Sequence, residues 1–164
     1  QTSRLDTCMV FNEVGKRWLK RGLGKELSKE EAIEVLKKNQ EEGLVMQPSN
    51  SKNPDFLCSC CGCCCGILLL QKMVPNPAKY WTSTYHAIVD RELCEGCEIC
   101  IEKCQVNAIS LKEGFAYINL KRCIGCGNCI VCCPNQAISL KKKDTKVPVP
   151  KDSSDLYHSI LKYS

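Results

Sequence analysis

Residues 94–104 read CEGCEICIEKC, and residues 123–133 read CIGCGNCIVCC. Both follow the spacing C-x2-C-x2-C-x3-C: Cys94, Cys97, Cys100 and Cys104, then Cys123, Cys126, Cys129 and Cys133. An offset of 29 residues carries the first set onto the second, and it also carries Gly96 onto Gly125 and the run 108–111 onto 137–140. One small unit has been duplicated.

The spacing has a chemical meaning. Two residues between cysteines let a tight loop wrap three thiolates around one corner of an iron-sulfur cubane, with the loop amides pointing at the sulfides. After the third cysteine the pitch lengthens to three residues, near one helical turn, which turns the fourth thiolate toward the other site. The pattern therefore predicts a crossed pair of [4Fe-4S] sites. Cluster I takes Cys94, Cys97, Cys100 and Cys133, and cluster II takes Cys104, Cys123, Cys126 and Cys129. Zinc or disulfides are the plain competitors. Zinc sites commonly use two separated C-x2-C knuckles, a pattern that two matched triplets plus singlets do not follow.

On these motifs, about residues 83–142 resemble the bacterial-type ferredoxin domain that carries two [4Fe-4S] clusters. The resemblance implies an α+β fold: a ferredoxin-like duplicated β-α-β domain, preceded here by a small helical region and a cysteine-rich loop. The family's proline after the fourth cysteine is kept as Pro134 but is Gln105 after Cys104, a change in turn rigidity and not in ligation. Local patterning agrees, with strands expected at 85–89, 108–111, 115–118 and 137–140, a Glu113-Gly114 turn, and short helices after Cys97 and Cys126. A domain of about sixty residues has a small apolar core, so metal is expected to supply much of its folding free energy.

The two loops differ in charge. Residues 90–104 hold Asp90, Glu92, Glu95, Glu98 and Glu102 against Arg91 and Lys103, a sum of −3, whereas residues 119–133 hold only Lys121 and Arg122, a sum of +2. An added electron is a negative charge, so cluster II is expected to be reduced first, by roughly a hundred millivolts after screening.

Upstream, Cys58, Cys60, Cys61, Cys63, Cys64 and Cys65 crowd into eight residues. Within them Cys58, Cys61 and Cys64 repeat the two-residue pitch, and Cys8 is the remaining upstream cysteine. A third iron-sulfur cluster on Cys8, Cys58, Cys61 and Cys64 is the expectation, with Cys60, Cys63 and Cys65 as rival ligands and zinc as the rival metal. A run of this kind ahead of a two-cluster domain is similar to that of iron-sulfur proteins from anaerobic bacteria and archaea. In those proteins a further cysteine-bearing segment tends to come first; Gln1 likewise suggests a processed product or part of a longer chain.

Four segments follow: a helical, possible winged-helix-like region at 1–47, the cysteine-rich segment 48–82, the two-cluster domain 83–142, and a linker with a tail helix at 143–164. Helices are expected at 9–22 and 28–42, the second capped by Ser28 and Glu31 and burying Ala32, Ile33, Val35 and Leu36. Ile67–Met73 reads as a short buried helix, and Trp18 and Trp81 as core.

The 164 residues carry 16 cysteines, 44% hydrophobic and 25% charged side chains, which excludes wholesale disorder. No apolar run is long enough for a membrane span. The net charge of +5 is scattered, and two clusters at about −2 each would bring it near +1, which disfavours a nucleic-acid partner. No nucleophile triad, dinucleotide loop or phosphate loop is present, so no catalytic residue or small-molecule substrate is assigned. The expected role is an iron-sulfur electron carrier, or an electron-transfer subunit of an oxidoreductase, serving redox partner proteins. Its alternatives are a subunit with chemistry at the cysteine-rich third site and a redox-sensing nucleic-acid binder. Thiol-rich cluster sites need reducing surroundings, so the cytoplasm is the expected compartment.

Overall fold

A computed structural model describes residues 3–49, 51–79, 83–144 and 149–152, with 154, 155 and 158. Trp81, most of the expected linker and the apolar face of the expected tail helix lie outside the described residues. Contacts divide the chain into two compact units: Gln40–Val45 with Cys60–Val147, and Thr2–Asn39 with Met46–Ser59 and Pro148–Ser164. The division runs across the segment 48–82.

The second of these units is organised by a short sheet. Strand β1 (Met9–Val10) is followed by helices α1 (Asn12–Lys20) and α2 (Lys29–Glu41), then by β2 (Val45–Pro48) and β3 (Phe56–Cys60). The strand order is β1-β3-β2, and Met9 lies opposite Leu57 in an antiparallel pair. The first helix therefore starts later than its apolar pattern suggests, because residues 9 and 10 pair with β3. Helix α1 buries none of its residues, and Trp18 on it is 44% exposed, not core.

Helix α2 opens with the expected capping box. The Glu31 N–H donates to Ser28 Oγ (3.1 Å), and the Ser28 N–H donates to Glu31 Oε2 (2.7 Å). Its anchor is polar. Asn39 is fully buried, donates to Thr7 O (2.8 Å) and Ser59 Oγ (2.9 Å), and accepts from Arg4 (3.1 Å). Ile33, expected inside, is exposed, and Ala32, Val35 and Leu36 are only half-buried. Apolar periodicity alone does not reveal that an amide is the group this helix buries.

In the first unit the cysteine loops sit between paired strands. Here β4 (Tyr85–Val89), α4 (Ile99–Lys103), β5 (Ile109–Lys112), β6 (Phe115–Ile118), α5 (Asn128–Val131) and β7 (Ile138–Lys142) follow in order. Strand β4 pairs antiparallel with β7, placing Ala87 opposite Leu140, and β5 pairs antiparallel with β6. Glu113 and Gly114 both have positive φ, as a tight hairpin with right-handed strand twist requires. The 29-residue offset is written in the backbone too: Gly96 and Gly125 share φ 67°, and Asn107 and Gln136 have φ 53° and 51°. Small and branched side chains, Ala87, Ile109, Ala116, Ile118 and Ile138 among them, form the buried cluster with Cys100, Cys123 and Cys129.

Helix α3 (Gly66–Met73) belongs to the same unit. It buries Leu68 and Gln71, but Ile67, Leu69 and Leu70 are partly exposed and Met73 is 80% exposed, so it is not the wholly buried helix its composition suggests. Arg122 holds its C-terminal end. The guanidinium donates to Val74 O (2.9 Å), Lys72 O (3.0 Å), Gln71 O (3.2 Å) and Val106 O (3.0 Å). Carbonyls left over at a helix end carry partial negative charge, and a cation there satisfies them and the dipole together. Among the described residues, no helix is long and apolar enough to cross a membrane.

Removing this anchor strips four carbonyls of a partner. Arg122→Ala is expected to destabilise this region by about 2–4 kcal/mol, read as faster amide hydrogen exchange confined to residues 66–74 and their contacts.

Candidate metal centres

Each four-cysteine loop depends on a glycine at its first bend. A Cβ on Gly96 would collide with Gly114 O, and one on Gly125 would collide with Tyr85 O and come within 2.6 Å of Ser83 Oγ. The loop backbone therefore packs directly on a neighbouring strand or hairpin, leaving its own interior for the thiols. Each loop then enters its short helix through a left-handed residue, Glu98 (φ 64°) before α4 and Gly127 (φ 83°) before α5. For glutamate that conformation costs about 1 kcal/mol or more, the strain expected where a loop is bent for a purpose.

Backbone amides address the sulfurs in a matched pattern. The Ala116 N–H donates to Cys94 Sγ and the Ala87 N–H to Cys123 Sγ, both at 3.4 Å. The Ala108 N–H donates to Cys104 Sγ (3.2 Å) and the Ala137 N–H to Cys133 Sγ (3.3 Å). The Ala108 and Ala137 bonds are related by the 29-residue offset, whereas Ala87 and Ala116, themselves 29 apart, each bond the first cysteine of the opposite half. Such bonds favour the thiolate over the thiol and so prepare each sulfur to ligate.

The thiols gather in two groups. Cys94, Cys97, Cys100 and Cys133 line one cavity of about 390 Å³ including its open mouth, walled by Leu93, Leu111, Ala116 and Ile138, with Glu95 and Glu98 at its border. Burial pushes the Cys100 thiol up to about 11, and Cys132, Cys97 and Cys94 add to the shift. In the other group, burial pushes Cys126 up to about 11, with Cys104 and Cys123 as the neighbours that raise it further. Cys129 is raised further still by burial and then by Cys126, Cys123 and Cys104. Cys132, outside the expected ligand sets, lies beside both: it raises the Cys100 and Cys129 thiols and donates to Cys129 O (3.5 Å).

The upstream cysteines form a third gathering. The sulfurs of Cys61, Cys63 and Cys64 all lie within 4.8 Å of one another, and Cys61 Sγ is 3.5 Å from Cys64 Sγ. Hydrogen bonding from Cys63 lowers the Cys61 thiol to about 7, while Cys64, hydrogen-bonded to Cys61 and Cys63, is pushed up to about 11. This turn joins two members of the expected frame, Cys61 and Cys64, with one expected rival, Cys63. Cys60 and Cys65 belong to the same compact unit; Cys8 and Cys58 belong to the other. All sixteen cysteines lie among the described residues, and no disulfide links any of them.

Three polar residues beside the cysteines do structural work that spacing alone does not reveal. Buried Gln105 accepts from the Gly62 N–H at Oε1 (2.7 Å) and donates from Nε2 to Gly43 O (3.3 Å). Asn128, also buried, donates to the same Gly43 carbonyl (2.8 Å), and Lys72 Nζ donates to Gly62 O (2.8 Å). Arg122 is the third, through the carbonyls given above. The one signal for any of them is the glutamine standing where the resemblance expects proline.

Residues 93–138 match the family described as "4Fe-4S dicluster domain". With sixteen cysteines and thiols gathered as above, the match supports an iron-sulfur electron-transfer role. Over 34 residues, 21% of the chain, the sequence is 50% identical to one of the subunits of the H(2):CoB-CoM heterodisulfide,ferredoxin reductase of Methanothermobacter thermautotrophicus, and equally to its counterpart in Methanothermobacter marburgensis. The match spans about 5% of the length of either curated relative.

The two loop glycines in the second set make opposite predictions. Gly125→Ala drives a methyl into a strand carbonyl and is expected to lose iron, whereas at Gly127 a Cβ meets only Leu140 Cδ1 at 3.9 Å and Ala costs about 1 kcal/mol of left-handed strain. Iron and acid-labile sulfide per chain, measured on both variants after anaerobic reconstitution, check this.

Proposed function

We propose that this chain relays single electrons between redox partner proteins through two [4Fe-4S] clusters in a bacterial-type, duplicated β-α-β ferredoxin domain, and through a third metal site. Cluster I is assigned to Cys94, Cys97, Cys100 and Cys133, and cluster II to Cys104, Cys123, Cys126 and Cys129. The observation that carries this reading is the cavity lined by three cysteines of one loop and Cys133 of the other, the crossed set that the spacing expects. The donor set fits the group: thiols only, N–H···S bonds in place, and loop interiors cleared by glycine. Bound there, a [4Fe-4S] cluster supplies a one-electron carrier that needs no proton partner.

The chain's own residues tune that carrier. Leu93, Leu111 and Ile138 give the Cys94 cavity an apolar wall, and the amides of Ala87, Ala108, Ala116 and Ala137 offset thiolate charge. Glu95 and Glu98 border the first cavity, and Arg91 is partly offset by Glu113 at 3.6 Å. The half-buried Arg122, next in sequence to Cys123, holds a positive charge at the second set. These placements support cluster II as the first to accept an electron.

For the third site, Cys61, Cys63 and Cys64 supply three sulfurs from one turn, with Cys60 or Cys65 as candidate fourth ligand. Exposure of Cys63 and Cys64 favours a second reading, an oxidoreductase subunit whose chemistry occurs at this open site. Turnover of a small oxidant by the isolated protein separates it from a pure relay. In the N-terminal unit the strand order β1-β3-β2, with two helices ahead of β2, supports a winged-helix-like character. The exposed side of α2 nonetheless mixes signs, as in the Glu34–Lys38 pair at 2.7 Å, and gives a nucleic acid no basic stripe.

About eight irons per chain correspond to two clusters and about twelve to three, so anaerobic iron and sulfide analysis tests the count directly. In an EPR-monitored redox titration, Cys126→Ser is expected to abolish the signal that appears at the higher potential. Loss of the lower-potential signal instead reverses the assignment.

A further inference from the structure

At three of the positions next to a cysteine where the two halves of the repeat differ, one half carries a polar side chain bonded beyond the repeat. Gln105 follows Cys104 where Pro134 follows Cys133; Arg122 precedes Cys123 where Leu93 precedes Cys94; Asn128 precedes Cys129 where Ile99 precedes Cys100. Every one of the three polar residues flanks a cysteine assigned to cluster II. Each also directs its side chain to an element outside the repeat: Gln105 to Gly43 and Gly62, Asn128 to Gly43, Arg122 to the end of α3. At the corresponding cluster I positions Leu93 is 50% exposed, Ile99 is 38% exposed, and Pro134 is exposed. Two of these residues, Gln105 and Arg122, fasten the segment carrying Cys61, Cys63 and Cys64 to the cluster II half, and Asn128 holds the Gly43 carbonyl that Gln105 also holds.

Gln105 makes the shortest of these links. Its Oε1 takes the N–H of Gly62, the residue between Cys61 and Cys63, and its backbone is bonded to Cys104. The contact is close enough that a Cβ on Gly62 would stand 2.8 Å from Gln105 O and 2.6 Å from Lys72 Nζ. The Gln105 side chain, hydrogen-bonded at one end to the Gly62 N–H (2.7 Å) and carried at the other by the residue after Cys104, therefore joins the three-cysteine turn to a cluster II ligand.

We propose that Gln105 is a positioning residue that wires the Cys61–Cys64 turn to cluster II, so that electrons move between the third site and cluster II and reach cluster I only through it. This rests on the reading that the turn holds a redox-active iron site. In each transfer the reduced third site loses one electron and oxidised cluster II gains it; no bond forms or breaks and no proton moves.

The test uses the iron-loaded full chain, reduced anaerobically with dithionite, with EPR spectra and iron and sulfide analysis taken from the same sample. In the fully reduced protein the third-site signal is expected to be split by a neighbouring spin. Cys126→Ser should abolish that splitting and Cys94→Ser should leave it. Gln105→Leu, which removes both hydrogen bonds, should lose the splitting, and Gln105→Glu, which keeps an acceptor for the Gly62 N–H, should restore it. The carboxylate of Gln105→Glu should also shift the potentials of the third site and cluster II downward and leave cluster I in place; that shift decides the matter where a cysteine variant fails to fold. Splitting that vanishes with Cys94→Ser, or persists in Gln105→Leu, overturns the wiring, as does a Gln105→Glu shift confined to cluster I. About eight irons and no third signal overturn it together with the third-site reading, whereas about twelve irons with any of those results overturn the wiring alone.

Discussion

Bringing several thiols to one point within a loop of eleven residues governs the rest of this architecture. The backbone must bend sharply and must pack its outer surface directly on another strand, and the sulfurs need amide donors. Gly96 and Gly125 allow the first two, since any side chain there would strike a carbonyl of the opposing element. The amides seen on sulfur come from outside the loops, from Ala87, Ala108, Ala116 and Ala137 on or beside the strands. Short strands and two helices of five and four residues suffice around such loops because the cysteines themselves form part of the buried cluster. An interior that consists so largely of sulfur has little apolar area to stabilise it unaided, which makes metal the natural completion of the fold.

A duplicated unit would by itself give two equivalent centres. Equivalence is broken here in two ways, and they act in the same direction. Acidic residues crowd the first loop and basic ones the second, which under the proposed two-cluster reading gives the two sites different affinities for an electron. Three polar residues in the second set also attach the segment 61–74 and the Gly43 turn, while the matching positions of the first set are apolar and exposed. An internal side and an open side result. The proposed relay would use such polarity, since its electrons must enter and leave at different places.

Much of this was readable from spacing. The eight-cysteine pattern, the offset of 29, the four strands of the repeat and the Ser28–Glu31 capping box all depend on local geometry or on short-range periodicity. Long-range pairing was less legible. Residues 9 and 10 look helical by apolar spacing but serve as a strand because Phe56 and Leu57 lie opposite them. Trp18 and Ile33 look like core residues, yet the group that α2 buries is the Asn39 amide, held by partners 20 to 35 residues away along the chain. Hydrophobic patterns report only which residues prefer burial, and a polar side chain with distant partners leaves no trace in them.

The same distinction separates the chemistry of this protein from its wiring. Which atoms can ligate, and at what pitch along the chain, follows from covalent spacing, because a two-residue interval between cysteines limits the loop to a few shapes regardless of what surrounds it. Which sulfurs meet in the upstream run, and what they are fastened to, does not follow from spacing. Six cysteines in eight residues admit several frames, and the turn through Gly62 brings Cys61, Cys63 and Cys64 together. The roles of Gln105, Arg122 and Asn128 arose at the same level. Their partners are backbone groups 16 to 85 positions away, and a backbone carbonyl or amide is the same in every residue, so only folding could show where each side chain would be satisfied.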